Sequence, residues 1–236
     1  MNKTLKFGNK TANADIRKLS DIIEVLLDRD ILQSSDRELY YMYRDLSLSR
    51  SDYDIIKAHH LRYDITIIPP GMVGREYVKT KGHYHPKVPG TDHSYPEVYE
   101  VLGGEACYLL QKKERGIITD VILIRAFEND KVIIPPEYGH VTINASNKEL
   151  TMANWISDDF SSVYKPYVEH HGAAYYMVQD GLIPNPCYEE VPQIREVVPK
   201  SLNKEGFLKN KEIYGLVRDI EKLDFLNRPQ DFEWDC

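Results

Sequence analysis

Apolar and polar positions fall into many short runs separated by turn residues. Arg62-Tyr63-Asp64-Ile65-Thr66-Ile67-Ile68 leads into Pro69-Pro70-Gly71, the pattern of a strand closed by a turn. Strand-like runs recur at 75–80, 97–102, 105–111, 117–125, 131–134, 140–145 and 149–156, and Gly103-Gly104 between two of them signals a hairpin. Many short strands with regular turns predict an all-β sandwich or barrel over residues 61–160. Upstream, Leu19, Ile22, Ile23, Leu26 and Leu27 are spaced for a helix over 16–27, and the aromatic stretch 38–43 leans towards a strand. Beyond 186 the chain is rich in charge and proline, and Ile213, Leu216, Val217, Ile220 and Leu223 predict a late amphipathic helix stopped near Pro229. The expected organisation is therefore an N-terminal helix and strand extension over 1–60, a β core over 61–160, and a C-terminal extension with a late helix over 161–236.

Composition narrows the class. Apolar residues make up 42% of the chain, enough for a substantial core. There is no run of eighteen apolar residues, so no membrane span is expected, and the polar start MNKTLKFGNK does not read as a secretion signal. Cys107, Cys187 and Cys236 are scattered and odd in number, which argues against a disulfide framework and fits a cytoplasmic protein. A net charge of −7 disfavours nucleic acid as a partner. It leaves room for a small anionic substrate in a locally basic pocket.

The candidate chemistry lies in two blocks. The first is Thr80-Lys81-Gly82-His83-Tyr84-His85, followed by Glu97 at the head of Glu97-Val98-Tyr99-Glu100-Val101-Leu102-Gly103-Gly104. Histidines at i and i+2 on a strand share a face, and neutral imidazoles suit first-row metals. The second is Ile133-Ile134-Pro135-Pro136-Glu137-Tyr138-Gly139-His140, with Asn144 four residues on. A histidine pair or a lone His140 is ordinary by itself; the joint occurrence of the four residues carries the signal.

The order of the blocks resembles the cupin family. The resemblance matches its first motif to Gly82, His83, His85, Glu97 and Gly104, and its second to Pro136, Gly139, His140 and Asn144. It implies a double-stranded β-helix, or jelly-roll barrel, with helical terminal extensions and one divalent metal ion per subunit held by His83, His85, Glu97 and His140. Iron is the first expectation for the metal, with nickel, manganese or zinc as alternatives. Two features depart from the pattern. The gap from His85 to Glu97 is long and holds Pro86, Pro89, Gly90, His93 and Pro96, and the proline-to-glycine spacing of the second motif is not the usual one. The first is read as a loop insertion, with His93 and Glu100 as substitute ligands.

Over residues 16–180 the chain further resembles the cupin-type glucose-6-phosphate isomerases of archaea and bacteria. Thr66, Pro70-Gly71, Val73-Gly74, Thr80 to His85, Glu97-Val98-Tyr99, Leu109-Leu110-Gln111 and Pro135 to His140 carry this likeness. It implies interconversion of an aldose and a ketose phosphate, with Glu97 as the catalytic base as well as a ligand. Proton transfer through a cis-enediol and a direct hydride shift both remain open. By the same similarity, Thr66, Thr80 and Gly82 are expected near the phosphate, and Tyr99 and Tyr164 near the sugar. Arg75, Lys79, Lys81 and Lys87 supply charge close by. The histidine that precedes the family tyrosine is absent here, where Ser161-Ser162-Val163 leads into Tyr164. The tract from 187 onward is not part of the compact archaeal form. A homodimer is expected from fold analogy, with the aromatic stretch 39–43 as a free edge. A cupin dioxygenase and a non-catalytic sugar-phosphate-binding cupin are the alternative functions.

Overall fold

The computed structural model describes residues 3–31, 36–199 and 211–234. An N-terminal hairpin, β1 (Thr4–Phe7) and β2 (Lys10–Asn13), precedes β3 (Asp15–Lys18), the short helix α1 (Leu19–Ile22) and β4 (Glu38–Tyr43). Helix α2 (Arg50–Ala58) leads to β5 (Leu61–Ile68) and the two-residue strands β6 (Met72–Val73) and β7 (Glu76–Tyr77). The central run is β8 (Glu97–Gly103), β9 (Glu105–Glu114), β10 (Ile117–Phe127), β11 (Lys131–Ile134), β12 (Tyr138–Ile143) and β13 (Leu150–Ser157). Then come α3 (Lys165–Glu169), β14 (Tyr175–Val178), β15 (Gly181–Pro184) and β16 (Ile194–Val197), and last a 3-10 segment, Ile213–Leu226.

Two sheets build the barrel. One is six-stranded, β11-β8-β13-β5-β4-β3, and antiparallel throughout; the other is β12-β9-β10-β16, with β16 added parallel to β10. Their inner faces meet: the Tyr99 and Tyr108 rings lie 5.2 Å apart, and Tyr108 Oη donates to Met152 Sδ. This is the cupin barrel expected from the motifs. The outer face of the six-stranded sheet packs a second core of Tyr41, Tyr63, Val98 and Trp155 against Ile213, Leu223 and Phe225 of the C-terminal segment. No helix among the described residues is long and apolar enough to cross a membrane.

Four expectations are corrected by the tertiary structure. Gly103-Gly104 makes a corner, not a hairpin: β8 belongs to one sheet and β9 to the other. Gly104 adopts φ +82°, and a Cβ there would run into the Glu149 carbonyl oxygen. The helix expected over 16–27 is only one turn, extended by a 3-10 turn at Ile23–Val25, because Asp15–Lys18 is drawn into the sheet beside β4. The late helix is instead 3-10 in character and broken at Asp219 (φ −133°, ψ 50°); its apolar positions still face the sheet. Residues 39–43 are no free edge for a partner, since β4 is paired on both sides, by β3 and β5.

Candidate metal centre and substrate cleft

The segment after β7 carries the histidine pair along the edge of β12. Thr80 N–H donates to the Thr142 carbonyl at 2.9 Å, and His83 and His140 exchange both backbone hydrogen bonds at 3.1 and 3.0 Å. Gly82 at φ +76° makes the bend that admits this path; a Cβ there would lie 2.7 Å from the ring of buried Tyr167. Extended backbone then turns His83 and His85 to one side. The long gap before Glu97 folds as a hairpin-like excursion, with Tyr95 N–H bonded to the Pro86 carbonyl and Val88 N–H to that of His93. The insertion thus returns the chain to the barrel with Glu97 at the head of β8.

His83, His85, Glu97 and His140 come together, each offering a ligand atom within 4.8 Å of the others. His83 Nε2 and His85 Nε2 are 3.1 Å apart, and Glu97 Oε2 is 3.5 Å from His85 Nε2 and 3.3 Å from His140 Nε2. His85 Nδ1 lies 2.7 Å from the Tyr95 carbonyl oxygen. A carbonyl only accepts, so Nδ1 carries the proton and the Nε2 lone pair faces the carboxylate. Burial pushes the His85 pKa down to about 4 and that of His83 well below its ordinary value, so both rings are neutral at pH 7. Burial alone would raise Glu97, but the close approach of His140 outweighs it and holds the group below the usual carboxylate range.

Lone pairs and a carboxylate therefore converge in a buried place, and among the described residues Glu97 Oε2 and His140 Nδ1 have no hydrogen-bond partner. Such a set repels itself unless a cation sits among it. Two donors each about 2.1 Å from a first-row ion and at right angles lie about 3.0 Å apart, close to the separations here. The residues present fit a single divalent ion. The substitute ligands do not: His93 Nδ1 sits 3.2 Å from Glu137, and Glu100 faces the opposite side of the sheet, 2.8 Å from Lys131 Nζ.

A cleft opens over three of the four, His83, Glu97 and His140. Thr66, Thr80, Gly82, Tyr99 and Tyr164 all line it. Tyr99 Oη is 3.2 Å from His140 Nε2, and burial, then the charge of Glu97, raises its pKa well above the ordinary phenol value, so it stays protonated. The Tyr164 ring lies 5.6 Å from that of His83. Of the four nearby cations expected from the sequence, Lys81 lines the cleft. Arg75 is engaged by Asp28, Lys79 is buried against Glu76, and Lys87 pairs with Asp92. Arg44 and Arg62 line the cleft and were not singled out in the sequence; Asp64 pairs with Arg62 at 2.9 Å.

Asn154 was also missed. Its Nδ2 donates to Glu97 Oε1 at 2.7 Å, with both residues buried. The available signal was its polarity at an inward position of the apolar run Met152-Ala153-Asn154-Trp155-Ile156.

The glucose-6-phosphate isomerase family model matches residues 16–192. The chain is 29% identical to the glucose-6-phosphate isomerase of Thermococcus litoralis over 143 residues, covering 59% of this chain and 67% of that one. It is 26% identical to the enzyme of the same name from Thermococcus kodakarensis over 178 residues, covering 74% and 87%. Among solved structures, oxalate decarboxylase from Bacillus subtilis is 15% identical, with a TM-score of 0.37 over 53% of this chain and 27% of that chain. The segment 211–234 lies beyond the family match. Because that match takes in both ligand-bearing blocks and the strands between them, the chain belongs to the glucose-6-phosphate isomerase family.

Proposed function

We propose that this protein is a metal-dependent isomerase that interconverts glucose 6-phosphate and fructose 6-phosphate. The observation that carries the reading is the convergence of three imidazoles and one carboxylate oxygen, without a hydrogen-bond partner among the described residues, in a cleft bordered by Lys81, Arg44 and Arg62. A bound divalent ion, iron in the first instance, supplies Lewis-acid polarisation of the oxygens on C1 and C2.

The chain's own groups do the rest. Asn154 fixes Glu97 Oε1. Oε2 then takes the proton from C2 of the open-chain aldose and returns it to C1, through an enediol whose hydroxyl protons are redistributed between O1 and O2. Tyr99, held as a phenol, donates to a substrate oxygen. Thr80 Oγ1 accepts from Thr142 N–H at 3.0 Å, which leaves its own proton for a phosphate oxygen. The backbone N–H of Gly82, the hydroxyl of Thr66 and the ammonium of Lys81 complete the anion contacts, and Tyr164 covers the sugar.

The test is a coupled assay of fructose 6-phosphate conversion on metal-stripped protein, with iron, nickel, manganese or zinc added back. Activity should vanish on stripping and return with at least one of them. Full turnover by the stripped chain, or none with any ion, overturns the proposal. Glu97→Gln at verified full metal loading should remain about 10²–10⁴-fold slower if Oε2 moves the proton.

A further inference from the structure

The Glu97–Asn154 pair is backed from the other side of the sheet by the segment outside the family match. Along β8, Glu97 and Tyr99 face the cleft, while Val98 and Glu100 face outward. On β13, Asn154 faces the cleft and Trp155 outward, with Trp155 opposite Val98 and Ile156 opposite Glu97. One residue of the C-terminal segment grips both strands there. Ile213 N–H donates to Glu100 Oε2 at 2.7 Å, and the Ile213 carbonyl accepts from Trp155 Nε1 at 2.8 Å. Glu100 Oε1 is also 2.8 Å from Lys131 Nζ, which brings in β11.

The grip is itself fastened. Tyr214 packs edge-on against Tyr63 at 4.9 Å; its hydroxyl accepts from Leu48 N–H at 2.6 Å and donates to Asp52 at 2.7 Å. Leu223 and Phe225 are fully buried in the same core. Glu100 and Trp155 are likewise buried in the docked structure, so undocking the segment would remove two hydrogen bonds and the apolar cover from the outward side of β8 and β13. That penalty falls on the two strands whose opposite faces carry Glu97 and its hydrogen-bond donor.

We propose that residues 211–234 form a brace that positions the Glu97 carboxylate through β8 and β13, so that affinity for a divalent metal ion at the four-residue centre depends on its docking. Ile213, Tyr214 and Trp155 are positioning residues and touch neither ion nor substrate. The inference rests on the metal-centre reading above, and its deciding measurement, metal affinity, needs no substrate.

Manganese(II) is titrated into the stripped full-length chain, with free ion read by its electron paramagnetic resonance signal, for the parent, Trp155→Phe and Tyr214→Phe. Trp155→Phe removes the indole donor, and Tyr214→Phe removes only a hydroxyl more remote from the centre, which guards against a misfolded first variant. At a temperature where circular dichroism shows full folding, manganese affinity should fall about 10-fold or more in Trp155→Phe, the range seen when support behind a metal ligand is lost. Tyr214→Phe should fall in the same direction by less. At saturating manganese, kcat should drop with KM unchanged. Affinities within twofold of the parent in folded variants, with only the melting temperature lowered, overturn the brace. A parent that binds manganese but isomerises no sugar phosphate overturns only the proposed reaction, and a parent that binds no ion overturns both.

Discussion

Replacing Asn154 with alanine isolates the contact that holds Glu97. The bond from Asn154 Nδ2 to Glu97 Oε1 is 2.7 Å long, and the two residues are 5% and 2% exposed. No water can substitute freely at that depth, so the charged hydrogen bond is worth about 1.5–3 kcal/mol. A chain of this size loses about 2–4 °C per kcal/mol, so the stripped variant should melt about 3–12 °C lower. Metal affinity should weaken about 10–100-fold, because the carboxylate is then free to rotate away from the histidine nitrogens. Asn154→Asp gives a second, oppositely signed signature. Two carboxyl groups 2.7 Å apart cannot both ionise, so one folded-state pKa rises above its unfolded value. The stripped Asp variant then binds more protons folded than unfolded, and its stability should fall as pH rises from about 4, by up to about 1.4 kcal/mol per unit, until that group ionises. Thermal melts followed by circular dichroism, paired with metal titration, read both effects. A stripped Asn154→Ala protein melting within about 1 °C of the parent, with unchanged metal affinity, would refute the reasoning.

Gly82→Ala should lower both stability and kcat/KM: its φ of +76° costs about 1–2 kcal/mol for an L-residue, and the new methyl meets the Tyr167 ring at 2.7 Å. Melting and steady-state assays check this, and a variant matching the parent in both would rule out the bend as the device that aims His83. Lys81→Ala should raise KM for the sugar phosphate about fivefold at low salt, the loss of about 1 kcal/mol expected of a part-exposed charge, and the difference should shrink in high salt. An unchanged KM would remove Lys81 from phosphate binding. The hydrogen bond from Arg195, foremost, holds Asp120 below its ordinary pKa of 3.8. Their interaction is therefore fully present above pH 3.8 and fades as pH falls through the lower folded value. Protection factors at 194–197, corrected for the intrinsic pH dependence of exchange, should fall on acidification over that window, and protection that is flat there would exclude the Asp120–Arg195 pair as a support of the β10–β16 pairing.

The chain by itself determined the strand content, the two ligand-bearing blocks and the family to which they point. These are local facts: period-two alternation, a histidine pair at i and i+2, and glycines beside them need only a few consecutive residues to be expressed. Even the long excursion between His85 and Glu97 could be read as an insertion, because its prolines and glycine interrupt strand texture.

Which strands pair, and what lies behind the site, only the tertiary structure decided. Gly103-Gly104 carries the same local signal whether the chain turns back on itself or crosses to the other sheet; the neighbour at Glu149, forty-odd residues away, settles it. Residues 16–18 open the stretch expected as a helix from the spacing of Leu19, Ile22, Ile23, Leu26 and Leu27, yet the unsatisfied edge of β4 takes them as a strand. Asn154 and Glu97 are fifty-seven positions apart, and their contact exists only because β13 lies beside β8 in one register. The same holds for Ile213, whose sequence shows an apolar residue at helical spacing and nothing of its grip on Glu100 and Trp155. Periodicity encodes which way a side chain faces, whereas register and sheet order are set by burial and hydrogen bonding summed over the whole barrel.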